Sequence, residues 1–135
     1  LDSETAILTG VRFRPLEENM AGCYLRIGKR KALTLPVLVC AVVMKLTPDR
    51  RFFKEVTISL GPVAPVPLRA TTAESFLNGA PINGKALLSA AEMASNESCP
   101  RDSSVRGSGV YRKKMVKVLV RRGLEKCLSR LKIEF

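Results

Sequence analysis

At 135 residues with 46% hydrophobic side chains, the chain has the size for one domain, residues 1–135, with one ordinary core that buries roughly two-thirds of its unfolded surface. Its formal charge of +11 comes with no histidine and no tryptophan, which excludes imidazole-based hydrolysis and argues against a base-stacking nucleic-acid platform. The longest apolar stretch, Leu33 to Leu46, is broken by Thr34 and Pro36 and is too short for a membrane span, so a soluble chain is expected.

The first residue is Leu and no basic-then-apolar leader precedes the first pattern, which reads as an excised or processed piece. Ala6 to Phe13 alternates enough for a strand, closed by Pro15. Ala21 to Lys31 predicts a second strand, with Tyr24 and Arg26 on one face and Leu25 and Ile27 on the other. Leu35 to Leu46 predicts a third, apolar enough to suggest burial on both faces. Thr47-Pro48-Asp49-Arg50 is a turn, so Phe53 to Leu60 should return antiparallel as a hairpin. Gly61 to Pro67 then forms a proline-punctuated connection.

After Arg69 the period becomes helical. Thr71-Thr72-Ala73-Glu74 offers a hydroxyl cap and a carboxylate for a short helix stopped by Asn78-Gly79. Asn83 or Gly84 opens a second helix with an apolar stripe of Ala86, Leu87, Ala90, Met93 and Ala94. Ser108 is a natural N-cap for a third, which should run almost to Phe135. Its expected inner stripe is Val110, Tyr111, Met115, Val118, Leu119, Leu124, Cys127, Leu128 and Leu131, leaving Arg112, Lys113, Lys117, Arg121 and Lys126 for solvent or a partner. Strands followed by helices predict an α+β domain: an antiparallel sheet of about four strands with three helices layered on one face.

Residues 101–135 carry eleven basic and three acidic side chains, a net +8, so the charge excess sits on the last helix and its approach. Without interleaved aromatics, this reads as a solvated face or one that docks on an acidic protein surface rather than on nucleic acid. Four cysteines without a C-x-x-C pair predict neither a metal site nor a disulfide scaffold, and favour a reducing compartment, the cytoplasm. Cys40 and Cys127 should be core thiols, whereas Cys23 and Cys99 lie nearer loops. Carboxylates are sparse, with only Glu17-Glu18 adjacent, and the Gly107/Gly109 pair lacks the preceding strand of a dinucleotide fingerprint, so independent catalysis is not expected.

Three strings, Arg30-Lys31-Ala32-Leu33-Thr34-Leu35-Pro36, Leu60-Gly61-Pro62-Val63-Ala64-Pro65-Val66-Pro67-Leu68-Arg69-Ala70 and Val105-Arg106-Gly107-Ser108 running to Arg122, carry a family likeness in order and spacing. Together they resemble the C-terminal domain of the flavoprotein subunit in molybdenum hydroxylases of the carbon monoxide dehydrogenase and xanthine dehydrogenase type. The resemblance implies the same α+β arrangement and a supporting role in an oxidoreductase. The domain would complete a flavin site that passes electrons between iron-sulfur clusters and an external acceptor. FAD would be held mainly by preceding subdomains absent from this sequence, so the fragment alone should bind flavin weakly or not at all. The molybdenum cofactor and iron-sulfur clusters would belong to partner subunits or domains.

Position by position, the resemblance places Leu35 against the isoalloxazine ring, with Thr34 where relatives carry an acid; a plain core leucine is the alternative. It places Lys54 at the cofactor, with an ordinary exposed strand-edge lysine as the alternative. Around Arg106, Ser104 replaces the usual acid, and Arg106, Ser108, Tyr111 and Arg112 read as a capped helix start. Its Tyr should pack inward and its arginines should satisfy loop carbonyls; subunit contact is the functional alternative. No catalytic or metal-ligating residue is expected. Two other classes stay open at this point: a basic nucleic-acid or acidic-protein binding module, and a scaffold of the same fold without flavin chemistry.

Overall fold

The computed structural model describes residues 6–30 and 34–133. Four strands form one antiparallel sheet in chain order: β1 (Met20–Gly28), β2 (Pro36–Leu46), β3 (Phe53–Gly61) and the two-residue β4 (Leu68–Arg69). Three helices follow, α1 (Thr71–Leu77), α2 (Gly84–Glu97) and α3 (Gly109–Arg130). The expected α+β class, with helices after strands, is the architecture observed.

The hairpin at Thr47 to Arg50 closes as its turn residues dictate, with Arg50 N–H donating to Thr47 O at 2.9 Å and Arg50 at φ 57°. Register pairs Val42 with both Cys23 and Ile58, so Ala21, Cys23, Cys40, Val42, Met44 and Ile58 share the face beneath the helices. The β2 stretch is not buried on both faces: Val39, Ala41, Val43 and Lys45 alternate with the core positions and are only half-buried, because among the described residues no helix covers that side and only the segment at Leu16 and Glu17 reaches it, beside Gly22 and Lys45. Tyr24 and Arg26 are exposed while Leu25 and Ile27 pack against the core, as the alternation predicts.

Ala6 to Phe13 is not a strand. It runs as irregular chain with Ile7, Leu8, Val11 and Phe13 exposed, because alternation makes a strand only where a neighbour supplies ladder hydrogen bonds, and none of the described elements does. The short β4 lies within what the prolines suggested was plain connection; Leu68 and Arg69 pair with Leu60 and Ser59.

Helix starts follow local chemistry in two cases of three. Asn83 Oδ1 accepts from Ala86 N–H at 2.8 Å to cap α2, and Ser108 Oγ accepts from Tyr111 N–H at 3.2 Å to cap α3. The Thr71/Thr72 cap does not form. The start of α1 is held instead by Glu97 at the end of α2, whose carboxylate accepts from Thr72 N–H at 3.2 Å and Ala73 N–H at 3.1 Å.

Glu74 of α1 turns inward, only 8% exposed, and accepts from Ile58 N–H at 2.7 Å and from Arg69 Nε and Nη2 at 2.8 Å each. Burial by itself pushes this carboxyl up, but the Arg69 guanidinium and the Ile58 amide outweigh it, and the net shift is below the ordinary value. A depressed folded-state pKa gives stability that is fully present above the unfolded carboxylate range and is lost as pH falls through the folded value. Wild type should therefore lose stability as pH drops below about 4.5, and Glu74→Gln should flatten that decline. Urea melts across this range check it; identical pH slopes for the two proteins contradict the assignment.

Along α3 the inner face is rotated from the simplest apolar stripe. Val116, Leu119, Val120, Leu124, Cys127 and Leu128 are buried, but Val110 and Tyr111 lie 68% and 46% exposed, so the expected inward packing of Tyr111 does not occur. Arg112, assigned above to solvent or a partner by periodicity, is 4% exposed. Gly123 lets α3 approach β2 closely, since a Cβ there would lie 2.8 Å from Val42 Cγ2. Cys23, which the sequence places near a loop, is buried beneath this contact and donates to Gly123 O at 3.3 Å. All four cysteines are free and only Cys99 is exposed. Burial, with Cys23 alongside, pushes the Cys40 thiol up to about 12, the behaviour of an inert core thiol.

Candidate functional site

Helices cover one side of the sheet, so the opposite side is the surface left for a ligand or a partner. Along its centre lie small or short side chains, Gly22, Ala41, Thr57, Ser59 and Gly61, flanked by Val39 and Val43. Tyr24 rises from this floor opposite Ala41 and is 61% exposed, and Arg26 lies opposite Val39. A flat floor of small residues beside an exposed aromatic ring suits a planar partner.

Leu35 borders this surface where β2 begins. It is 58% exposed, so the alternative of a core leucine does not hold. Arg26 Nη2 donates to Thr34 O, which ties the entry of β2 to the outward face of β1. Arg26, Lys29 and Arg30 supply positive charge at the same end. Lys31, Ala32 and Leu33 of the quoted motif fall outside the described residues.

Lys54 is exposed at the opposite end of the sheet. It follows Phe53, which pairs with Leu46 at the end of β2, whereas Leu35 precedes Pro36 at its start. At about 3.3 Å per residue the separation along β2 is roughly 30 Å. The fold therefore does not bring Leu35 and Lys54 to one ring. The strand edge beside Lys54 is covered rather than open: Phe53 N–H donates to Ala80 O at 3.0 Å, and Val56 N–H to Asn78 Oδ1 at 3.2 Å. Lys54 also lies near Glu17, whose carboxyl is held low mainly by its 2.5 Å ion pair with Lys45, with Lys54 and Arg14 adding to the effect.

The helix-start residues behave as predicted in one respect. Arg112 Nη1 donates to Pro62 O at 2.7 Å and Nη2 to Arg101 O, so this arginine satisfies loop carbonyls. Several other basic side chains of α3 are used within the chain: Lys117 pairs with Glu92 at 2.8 Å, Arg121 with Glu125 at 2.7 Å, and Arg130 Nη1 donates to Gly22 O. Among the described residues no group of three or more His, Cys, Asp or Glu side chains has the arrangement to hold a metal ion, and no helix is long and apolar enough to cross a membrane.

Tyr24 was legible in the sequence only as a residue facing away from Leu25 and Ile27. What singles it out is that its face has no helix, and strand periodicity does not say which face of a sheet the helices will cover.

Comparison with known proteins places this architecture. The family model described as the CO dehydrogenase flavoprotein C-terminal domain matches residues 23–127. The xanthine dehydrogenase FAD-binding subunit of Escherichia coli O157:H7 is 26% identical over 124 residues, covering 91% of this chain and 41% of that protein. The structure of carbon monoxide dehydrogenase from Hydrogenophaga pseudoflava, in a form lacking the Mo-pyranopterin moiety of the molybdenum cofactor, superposes with a TM-score of 0.78 at 30% identity, over 85% of this chain and 39% of that one. Quinoline 2-oxidoreductase from Pseudomonas putida 86 shares the fold, with a TM-score of 0.74 at 23% identity over 84% of this chain and 39% of that one. The chain thus spans about two-fifths of the length of the relatives it matches. With the matched region running from the middle of β1 to the last turns of α3, the chain belongs to the CO dehydrogenase flavoprotein C-terminal domain family.

Proposed function

We propose that this chain is the C-terminal domain of the FAD subunit of a molybdenum-containing hydroxylase or dehydrogenase. There it completes the flavin site through which electrons pass between iron-sulfur clusters and an external acceptor. The observation that carries this reading is the family match over residues 23–127. The helix-free sheet face and the exposed Ile7, Leu8, Val11 and Phe13 add support, since apolar surface of this kind is what the remainder of a larger subunit would cover. The partners are the iron-sulfur and molybdenum subunits or domains of the same enzyme, in the cytoplasm, where four free thiols suit a reducing medium.

FAD supplies the redox chemistry when bound; the residues here form a wall. Leu35, exposed where β2 begins, offers apolar contact to a planar ring, while Tyr24, opposite Ala41 and roughly 20 Å further along β2, faces another part of the subunit; the described residues offer no glycine-rich loop between a strand and a helix to cradle the phosphates. In this reading Leu35 makes the ring contact, and Lys54, roughly 30 Å away along β2, is a surface lysine at the far end of the sheet.

Two measurements test this. Calorimetric titration of the 135-residue chain with FAD should show little binding; tight, stoichiometric binding would overturn the division of labour. In the complete flavin subunit, Leu35→Ala should lower flavin content or shift the flavin potential while leaving the melting temperature of the flavin-free protein within about 2–4 °C, as for a surface change. Lys54→Ala should leave all three unchanged. Unaltered flavin content and potential in Leu35→Ala would remove Leu35 from the site.

A further inference from the structure

Away from the open sheet face, the loop joining α2 to α3 folds over the connection after β3, with Cys99 N–H donating to Val63 O at 3.0 Å. The two segments enclose a cleft of about 510 Å³. Its charged lining is one-sided: Arg101, Arg106 and Arg112 against the single carboxylate of Asp102. Asp102 is already engaged, its Oδ1 accepting from Gly109 N–H at 2.7 Å.

Arg112 is the unusual member. It is 4% exposed, and its two terminal nitrogens are fixed by the carbonyls of Pro62 and Arg101, yet its Nε–H is buried without a partner. Arg106, half-buried in the same lining, also has a buried, unpartnered Nε–H, while its backbone N–H is held by Ser103 Oγ at 3.1 Å. A guanidinium withdrawn from water and satisfied only by neutral carbonyls retains both an unpaired donor and an uncompensated charge, and each is costly. An oxyanion in the cleft answers the uncompensated charge, because arginine N–H groups match phosphate oxygens in geometry as well as in sign. The start of the 22-residue α3, bonded through Gly109 to Asp102 of the lining, adds partial positive charge in the same region.

We propose that this cleft is an oxyanion-binding site for a small phosphate-bearing molecule, held by Arg106 and Arg112 with Arg101 at hand. The proposal goes beyond the flavin reading and does not depend on it, since the cleft lies among the loops and not on the open sheet face.

The test follows the Nε–H resonances of Arg106 and Arg112 by NMR in the 135-residue chain, in chloride buffer, during titration with inorganic phosphate, pyrophosphate and ADP. Both resonances should shift saturably with a Kd of about 1 mM or tighter for pyrophosphate or ADP. Arg106→Gln should weaken that binding at least about tenfold, and Arg122→Gln, at an exposed position on α3 outside the cleft, should not. Equal affinity for pyrophosphate and ADP assigns the site to the diphosphate alone; tighter binding of ADP assigns it to a nucleotide. Non-saturating shifts spread over the basic residues of α3, or saturable binding that survives Arg106→Gln, would overturn the proposal. Arg112→Gln strips two carbonyls of their donor and threatens the fold, so Arg106→Gln is the deciding variant.

Discussion

Phe53→Ala should destabilise the chain by about 3–5 kcal/mol, the largest loss expected from any single truncation in this core. Phe53 is fully buried at the base of the β2–β3 hairpin. Its backbone also holds the crossing to the loop after α1, donating to Ala80 O at 3.0 Å and accepting from Gly79 N–H at 2.8 Å. Removing the ring leaves a cavity where a sheet end, a turn and a helix end meet, and a rigid hairpin can collapse into it only partly. Lys54→Ala, one residue along, should change stability by no more than about 0.5 kcal/mol because its side chain points to solvent. Chemical unfolding of the two variants side by side checks both. A Phe53→Ala loss below about 1 kcal/mol would mean that the site relaxes and that the packing described here is not tight.

Gly109→Ala should cost about 1–3 kcal/mol or more, through overpacking rather than through a cavity. A Cβ at position 109 would lie 2.2 Å from Pro100 O, a backbone atom that cannot swing aside. The first residue of α3 would have to move away from the loop, stretching the 2.7 Å bond from its N–H to Asp102 and shifting Arg112 from the Pro62 carbonyl. Gly84→Ala is the matched control: it too opens a helix, but no atom lies within 4 Å of its Cβ position, so it should be neutral or stabilising by up to about 1 kcal/mol. Equal behaviour of the two variants in urea melts would show that the loop is free to retreat and that Gly109 serves only as a flexible joint.

These two residues also mark the boundary between what is local and what is not. The hairpin turn at Thr47 to Arg50, the Asn83 and Ser108 caps and the run of strands before helices were all legible in the sequence, because turn and cap chemistry is settled within three or four residues. The family likeness was legible too, since it rests on the order and spacing of short strings. The tertiary structure alone decided the rest. Ala6 to Phe13 has strand alternation without a partner to pair with, and Thr71/Thr72 lost its capping role to Glu97, which arrives from 24 to 25 residues away. Tyr111 satisfies helical periodicity but lies outside the packed face, while Arg112, whose bonds to loop carbonyls were legible at the helix start, is buried against periodicity because those of Pro62 and Arg101 converge on it. Leu35 and Lys54 look like one site when only the motif order is read, yet antiparallel pairing of β2 with β3 sends them to opposite ends of the sheet. Composition and periodicity determined that the chain would make an antiparallel sheet with helices on one side, because burial patterns are properties of each segment. Which side stayed open, and which cations were buried there or elsewhere, depended on contacts between segments far apart in sequence, and those are fixed only when the chain closes on itself.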